Sequence, residues 1–514
     1  MSLRFETTPL APLPPLPLDR LLEERPRPVD PRLRPAFEAH GVAADGLDAL
    51  FADGALCVTT GQQPGLLTGP MFTLFKAVSA CAVARAVAHR LGRPVVPVFW
   101  VAGDDHDFRE ANHVHVLDQD NELRELRLRD RDPSAPQLPL YREPLGEEIA
   151  HVLSALQEAT PDTEFRHGVL EWIGRHYRPD ATFADACAGA FAELLGPVGL
   201  VVLRSTHPAA KAAMAPLLTR ALEEAPALDR ALADRAATLR SQGAEAPVPV
   251  GEGATTVMIE GRLGRDRLVA DGGRFVTRRA GENWTLDALR RVAVEDPTRL
   301  SPNVLLRPVV EAALLPTLAY AAGPSELEYL PQAAPLYEAL GVTAQAAVPR
   351  WSARVLETRV SKVLEKYRLT PERLAEPPGA LEAALVEDEM PPAAREALSA
   401  LRRMIGIEYQ RLQDAATAVD PTLKKSVASS RNTALATLAD VEKRIVTHLK
   451  KQNDIVVQQI EKARRHLFPL GQPQERVLSP LPFLIRYGGA FLDDAQTAAG
   501  AWAGAALDAH SGAA

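Results

Sequence analysis

Cysteine is scarce in this chain. Its 514 residues hold three, Cys57, Cys81 and Cys187. They are scattered, odd in number and show no C-x-x-C spacing, which argues against a disulfide framework or a thiolate zinc site and for a reducing cytosol. Cys57 in an apolar strand and Cys81 on an apolar helix read as small buried hydrophobes rather than nucleophiles. Long hydrophobic runs are also scarce. The best candidate, residues 95–102, falls far short of the roughly 18 residues a membrane span needs and is broken by Pro97. The N-terminus, MSLRFETTPLAPLPPLPL, has no basic start followed by an apolar core, so no secretory leader is expected. Positive charge is not in excess either, since 58 basic against 66 acidic residues give −8, so neither nucleic acid nor anionic lipid is attracted in bulk. A cytoplasmic protein with no membrane or nucleic-acid role is expected. What is plentiful is Ala, Arg and Pro, and the 43 prolines mark many loops.

The length suggests three domains at about 150 residues each, or one large core with insertions. The first 50 residues are Pro-rich, then weakly helical, as in an arm packed on a core. Residues 55–59 (ALCVT) read as a buried strand and 60–70 (TGQQPGLLTGP) as a loop. Residues 71–91 read as a helix ending at Gly92, and 94–102 (PVVPVFWVA) as a second apolar strand. That is a βαβ unit, and continuous apolar strands indicate a parallel sheet covered on both faces. Residues 182–195 (helix), 199–203 (strand) and 209–224 (helix) continue the pattern. Short strands at 256–260, 267–270 and 274–277 suggest a small β insertion, and 308–320 reads as an apolar helix followed by a loop at 321–332. From about 356 the character changes. Leu435, Leu438, Val441, Ile445, Leu449, Val456 and Ile460 recur at threes and fours, with no Pro or Gly from 431 to 468. At ~1.5 Å per residue this makes a helix of roughly 55 Å. With the helical pattern at 381–416 it predicts an antiparallel coiled-coil hairpin, its seam interrupted by His448 and Gln452. The expected division is a core at 1–355 with insertions near 120–180 and 225–300, a helical domain at 356–467, and a segment at 468–514 returning to the core.

Three places carry chemistry. The 60–70 loop joins a strand end to a helix N-terminus, a setting that favours anions. Thr60, Gly61, Gln62, Gln63, Thr68, Gly69 and Pro70 are its candidate ligand contacts, although it matches neither a P-loop nor G-x-G-x-x-G. The second is Gly103-Asp-Asp-His-Asp-Phe108 with Glu110, Asn112 and His113, at the carboxyl edge of the sheet where α/β folds bind ligands. Consecutive residues rarely face one point, so acid–base work by His106 with Asp105 and Asp107 is preferred to a bound metal. The third is Asn303 and Arg307 in SPNVLLRP with Glu326 in GPSELEY. Arg307 suits a two-pronged grip on a carboxylate or phosphate, and a structural ion pair suits it equally. On the helical region, Lys424, Lys425, Ser426, Lys450 and Lys451 are basic spots best read as a solvated face.

The series TGQQPGLLTGPMFTLFK, PVVPVFWVAGDDHDFREANHV, SPNVLLRP, GPSELEY and LFPLGQPQERVLSPLPFLIRYG, in that order over nearly the whole chain, resembles the BshC family of bacillithiol biosynthesis. The resemblance implies an α/β, Rossmann-like core with connecting insertions, a C-terminal coiled coil that forms a homodimer, and a ligase that adds cysteine to glucosaminyl-malate. Amide formation from a free carboxylate is uphill at pH 7, so ATP is the expected co-substrate, with Mg2+ accompanying the nucleotide. The 60–70 loop would then hold the activated group and His106 would take the amine's proton, oriented by Asp105 or Asp107. Asn303 and Arg307 would recognise carboxylates. No H-I-G-H sequence is present, and Thr68-Gly69-Pro70 stands at the helix start in its place. The competing readings are a metal-dependent hydrolase or deacetylase centred on residues 104–113 and a non-catalytic nucleotide-binding assembly protein. A nicotinamide oxidoreductase lacks its glycine fingerprint.

Overall fold

The computed structural model describes residues 3–8, 10, 11, 28–388, 390–452 and 454–508. The N-terminal proline-rich arm falls largely at 12–27, outside the described residues. The chain divides into two compact units, Leu3–Val355 with Gln474–Ala514, and Leu356–Pro473.

The first unit is built on a six-stranded sheet of β1 (Phe37–Glu38), β2 (Cys57–Gln62), β3 (Val96–Val101), β4 (Val201–Arg204), β5 (Thr317–Ala322) and β6 (Ala346–Pro349). The order is β6-β5-β2-β3-β4-β1, parallel throughout except for the edge strand β1. Successive side chains of a strand point to opposite faces, so a strand buried on both sides must be apolar at every position. Here Val96, Val98 and Trp100 enter one core with Val201 and Leu203, while Phe99 and Val101 enter the other with Leu200 and Val202. From β2 the chain builds β3 and β4 to one side, then returns to build β5 and β6 on the other. Strand order therefore reverses between β2 and β5, the crevice where open α/β sheets place ligands.

The helix Met71–Leu91 crosses between β2 and β3, with Pro70 as its N-cap and Gly92 in the left-handed region at its end. It, rather than residues 95–102, is the stretch long and apolar enough to span a bilayer, and 78% of that window is buried. Phe491, Ala495, Ala499 and Ala503, four residues apart along the helix Gly489–Asp508, belong to the same core. The three cysteines are buried. A five-stranded sheet formed by Ala254–Gly261, Gly264–Asp271, Arg274–Thr277, Asn283–Trp284 and Leu300–Pro302 is antiparallel.

Three sequence expectations need correction. Residues 308–320 are not one helix: the helix Arg307–Leu314 stops at an extended Leu315 and β5 follows. Pro316 is the cause, because it disfavours helical geometry in the residue before it and cannot donate to a helical hydrogen bond. Within 321–332, expected as loop, Ala321 and Ala322 complete β5 and Pro324–Tyr329 is a helix. The first strand also runs further than expected, through Gln62, because β3 continues to pair with it (Gly61 with Trp100, Gln62 with Val101).

The second unit is helical. Pro392–Val419 and Leu423–Gln452 form an antiparallel hairpin turned at Asp420, whose carboxylate accepts from the Thr422 N–H at 2.8 Å. Leu398 and Leu438 bury its seam near Met390, and Arg402 pairs with Glu442 at 2.6 Å across it. Nearer the start and end of the unit, Leu356, Val360, Leu364, Ile460, Ala463 and Leu467 make a separate core. Where the chain leaves the first unit and re-enters it, Gln474 Oε1 accepts from the Val355 N–H at 2.8 Å and its Nε2 donates to the Val355 carbonyl at 3.3 Å.

Candidate functional site

At the carboxyl ends of β2 and β5 lies a pocket of about 340 Å³. The end of β2 brings Gly61, Gln62 and Gln63 to it, and the turn after β5 brings Gly323, Ser325 and Glu326. Asp104 and Asp105 follow β3, and the short strand Leu300–Pro302 delivers Asn303, four residues before Arg307. Gly61 sits in a crowded place, since a Cβ there would stand 3.1 Å from the Trp100 carbonyl oxygen.

Beneath the pocket runs a buried charged network. Lys76 Nζ donates to the Gly61 carbonyl at 2.6 Å and to Gln62 Oε1 at 3.0 Å, and meets Glu326 Oε2 at 2.6 Å. Glu326 also accepts from Tyr320 OH at 2.5 Å and from the Gly323 N–H at 2.6 Å. Burial alone would raise its carboxyl, but the charges of Lys76 and Arg307 outweigh burial and hold it below its ordinary value. Arg307 reaches Glu311 Oε2 at 2.8 Å and Tyr320 OH at 3.1 Å, and Thr59 donates to Glu311. Burial dominates at Glu311 and pushes its carboxyl up despite Arg307. Lys76 and Glu326 thus tie the end of β2 to the helix after β5 across the crevice.

The walls carry further fixed charges. Lys211, wholly buried, pairs with Asp104 and donates to the Leu300 carbonyl at 2.8 Å. Arg350 grips Glu475 through both terminal guanidinium nitrogens, at 2.6 and 3.0 Å. Arg265 donates to Ser301 Oγ at 3.0 Å and to the Pro302 carbonyl at 2.8 Å. Arg476 completes the cations of the lining.

The acidic turn after β3 is held by its own backbone. Asp105 Oδ1 accepts from the His106 N–H at 2.7 Å, and Asp107 Oδ1 caps the next helix by accepting from the Glu110 N–H at 3.0 Å. Burial and the nearby charge of Arg265 lower the His106 imidazole below its ordinary value, against Asp105. Its Nδ1 lies 3.7 Å from Asp105 Oδ1. His106 and Asp107 line a second cavity of about 480 Å³, which shares Gln63, Asp105 and Glu110 with the first. Asp104 faces Lys211, Asp105 and Asp107 bond to the turn, and His113 Nδ1 meets the Arg109 carbonyl at 3.1 Å. Among the described residues no three His, Cys, Asp or Glu side chains converge on one point.

Of the residues singled out in the sequence, Gly61, Gln62, Gln63, Asp105, Asn303, Arg307 and Glu326 line the first pocket. Thr60, Thr68, Gly69, Pro70 and Asn112 do not. Thr60 Oγ1 donates to the Ala321 carbonyl at 2.7 Å, tying β2 to β5. The Thr68 N–H donates to Tyr177 OH at 2.7 Å, the Gly69 N–H to the Leu66 carbonyl at 2.9 Å and the Met71 N–H to the Leu478 carbonyl at 2.8 Å. At the helix N-terminus expected to attract an anion, the N–H of Met71 is thus taken by Leu478 and that of Thr73 by the Pro70 carbonyl. Buried Asn112 donates to the Arg129 carbonyl at 2.7 Å and braces a turn. Lys424, Lys425 and Ser426 are exposed on the hairpin, as is Lys451, while the side chain of Lys450 lies outside what is described. Lys76, Lys211, Glu311 and Tyr320 escaped the sequence reading. A lone lysine in an otherwise apolar helix, as in MFTLFKAVSA and PAAKAAMA, was the available signal for the first two.

Two family models cover most of the chain. Residues 34–351 match the N-terminal Rossmann-like domain of bacillithiol biosynthesis BshC, and residues 353–499 match its C-terminal coiled-coil domain. Similar proteins bear the name "Putative cysteine ligase BshC", among them three bacterial ones. That of Salinibacter ruber is 33% identical over 452 residues, covering 87% of this chain and 81% of its own. That of Symbiobacterium thermophilum is 32% identical over 473 residues (89% and 84%). That of Heliobacterium modesticaldum is 30% identical over 488 residues (91% and 85%).

Proposed function

The chain belongs to the BshC family of bacillithiol biosynthesis, and from that premise we propose that it is a ligase joining the carboxylate of cysteine to the amine of glucosaminyl-malate. The observation that supports this is the pocket at the reversal of strand order, lined by fixed cations and amides, with His106 in an adjoining cavity that shares Gln63, Asp105 and Glu110 with it. ATP supplies activation. The cysteine carboxylate displaces pyrophosphate or ADP to form an acyl-adenylate or acyl-phosphate. The amine then attacks the acyl carbon, loses a proton and expels AMP or phosphate. The nucleotide phosphates fall to Arg476 at the pocket wall, and Mg2+ enters with the nucleotide rather than through a protein cage. His106, neutral near pH 7 because its imidazole is lowered, takes the amine's proton, and Asp105 steadies it. The acid limb of the pH–rate profile should accordingly lie below pH 6.5, and His106→Asn should abolish that limb.

The helical hairpin joins two copies of the chain through exposed apolar side chains such as Leu401, Met404, Ile407 and Val441. The buried thiols of Cys57, Cys81 and Cys187 suit the cytoplasm. Incubating the protein with glucosaminyl-malate, cysteine and ATP tests the assignment. Thiol product with AMP indicates adenylation, and product with ADP indicates the phosphate route. No product from folded protein refutes the ligase reading and leaves a binding protein.

A further inference from the structure

The first pocket holds three side-chain amides, and their orientation is set by what each is already bonded to. Gln62 Oε1 faces Lys76 Nζ at 3.0 Å. An ammonium donates and never accepts, so the oxygen must point to it and the Gln62 NH2 group is turned away. Asn303 Oδ1 accepts from the N–H groups of Leu305 at 3.0 Å and Leu306 at 2.9 Å. Its NH2 group is therefore also left over. Neither NH2 group has a partner among the described residues, and both side chains line the pocket. Gln63 is held in the opposite sense, its Nε2 donating to the Asp107 carbonyl at 2.9 Å, so a pair of outward donors is not a general property of this edge.

We propose that Gln62 and Asn303 form a donor pair that binds one carboxylate of a substrate, with Lys76 as the positioning residue that keeps Gln62 turned. The charges beside Asn303 suit a carboxylate. Lys76 is matched by Glu326 and Arg307 by Glu311, so neither carries surplus charge. Arg265 is anchored to Ser301 and Pro302, directly beside Asn303 in sequence, and supplies one positive charge. Arg307, the carboxylate clamp expected from the sequence, is instead occupied by Glu311 and Tyr320.

The inference rests on the ligase reading, under which a carboxylate can come from cysteine or from the malate arm. Gln62→Glu and Asn303→Asp remove the donors but keep the oxygens that Lys76 and the Leu305 and Leu306 N–H groups need, so both variants should fold as the native chain does. Gln62→Met removes the donor without adding charge. Binding is measured calorimetrically for cysteine against cysteamine and for glucosaminyl-malate against methyl glucosaminide, with ATP as a control. In one pair, the variants should bind the carboxylate-bearing ligand at least tenfold more weakly while binding the truncated ligand as before. That pair identifies the source. ATP affinity should not change. Variants that discriminate in both pairs as the native protein does, or that lose ATP alone, overturn the donor pair. A native protein that binds neither cysteine nor glucosaminyl-malate overturns the ligase reading together with it.

Discussion

Replacing Lys76 by methionine keeps most of the side chain's volume and removes its ammonium. Three acceptors then each lose one donor, namely the Gly61 carbonyl, Gln62 Oε1 and Glu326 Oε2. Removing one partner of a buried ion pair leaves an uncompensated charge and costs about 3–5 kcal/mol. The lower end is expected here. Arg307 remains 4.0 Å from Glu326 Oε1, and Tyr320 OH and the Gly323 N–H still donate to the carboxylate. The assay is urea unfolding followed by tryptophan fluorescence. All five tryptophans (Trp100, Trp172, Trp284, Trp351 and Trp502) lie in the first unit, so the signal reports that unit without the helical one. A double-mutant cycle with Glu326→Gln should return a coupling of about 1–3 kcal/mol. The pH dependence has a definite sign. In the native protein the Glu326 carboxyl is held low, so its contribution is complete above the unfolded value of about 4.3 and is lost as pH falls through the lower folded value. Without Lys76, burial raises that carboxyl. The variant's deficit should therefore be largest near pH 7 and shrink on acidification, as Glu326 takes up a proton. A loss below about 1 kcal/mol at pH 7, or a coupling near zero, would refute the reasoning.

Other outcomes follow from the same physical chemistry. Arg350→Met should destabilise the first unit by about 3–5 kcal/mol in the fluorescence assay, because it strands the buried Glu475 carboxylate. Adding Glu475→Leu should recover a substantial part of that loss. Gly61→Ala should cost about 1–3 kcal/mol, the added methyl standing 3.1 Å from the Trp100 carbonyl oxygen and 3.2 Å from its Cβ. On the hairpin, Met404→Asp with Ile407→Asp should convert a dimer to a monomer in sedimentation velocity while leaving the tryptophan-monitored stability unchanged. Breaking the exposed Arg402–Glu442 pair should shift stability by less than about 1 kcal/mol.

Local pattern revealed much of this fold. The helix Met71–Leu91 begins and ends where proline, glycine and the apolar run predict. The strands at 96–101 and 201–204 were legible because a short, almost wholly apolar run suits a strand covered on both faces. The strand at 274–277 was legible because Gly272 and Gly273 mark the turn before it. β5 was not, since Thr-Leu-Ala-Tyr-Ala-Ala carries no strand-specific periodicity, and only Pro316 separates it from the helix before it. That single misreading hid the neighbour of β2 and with it the reversal of strand order that locates the pocket. The polar loops were visible as chemistry-bearing residues, and seven of the expected residues do line one pocket. Which groups those residues bond to was not visible. Lys76 meets Glu326 and Arg350 meets Glu475 over separations of 250 and 125 residues, and no local pattern encodes such pairings. Arg307 shows the same limit, because a clamp and a structural ion pair are the same residue until Glu311 is seen beside it.

The two-way amide bond between Gln474 and the Val355 backbone bears on the order in which the chain folds. The first unit's last helices, including the alanine-lined partner of Met71–Leu91, are synthesised only after the whole of Leu356–Pro473. If that stretch were still a coil, closing it would carry an entropy cost that grows with the logarithm of its length. A helical segment built largely from local contacts folds quickly and shortens the effective loop before the join must form. Shortening the hairpin symmetrically about Asp420 should thus leave the core's refolding rate unchanged. Substitutions that unravel Ile460 or Leu467, near the return point, should slow it.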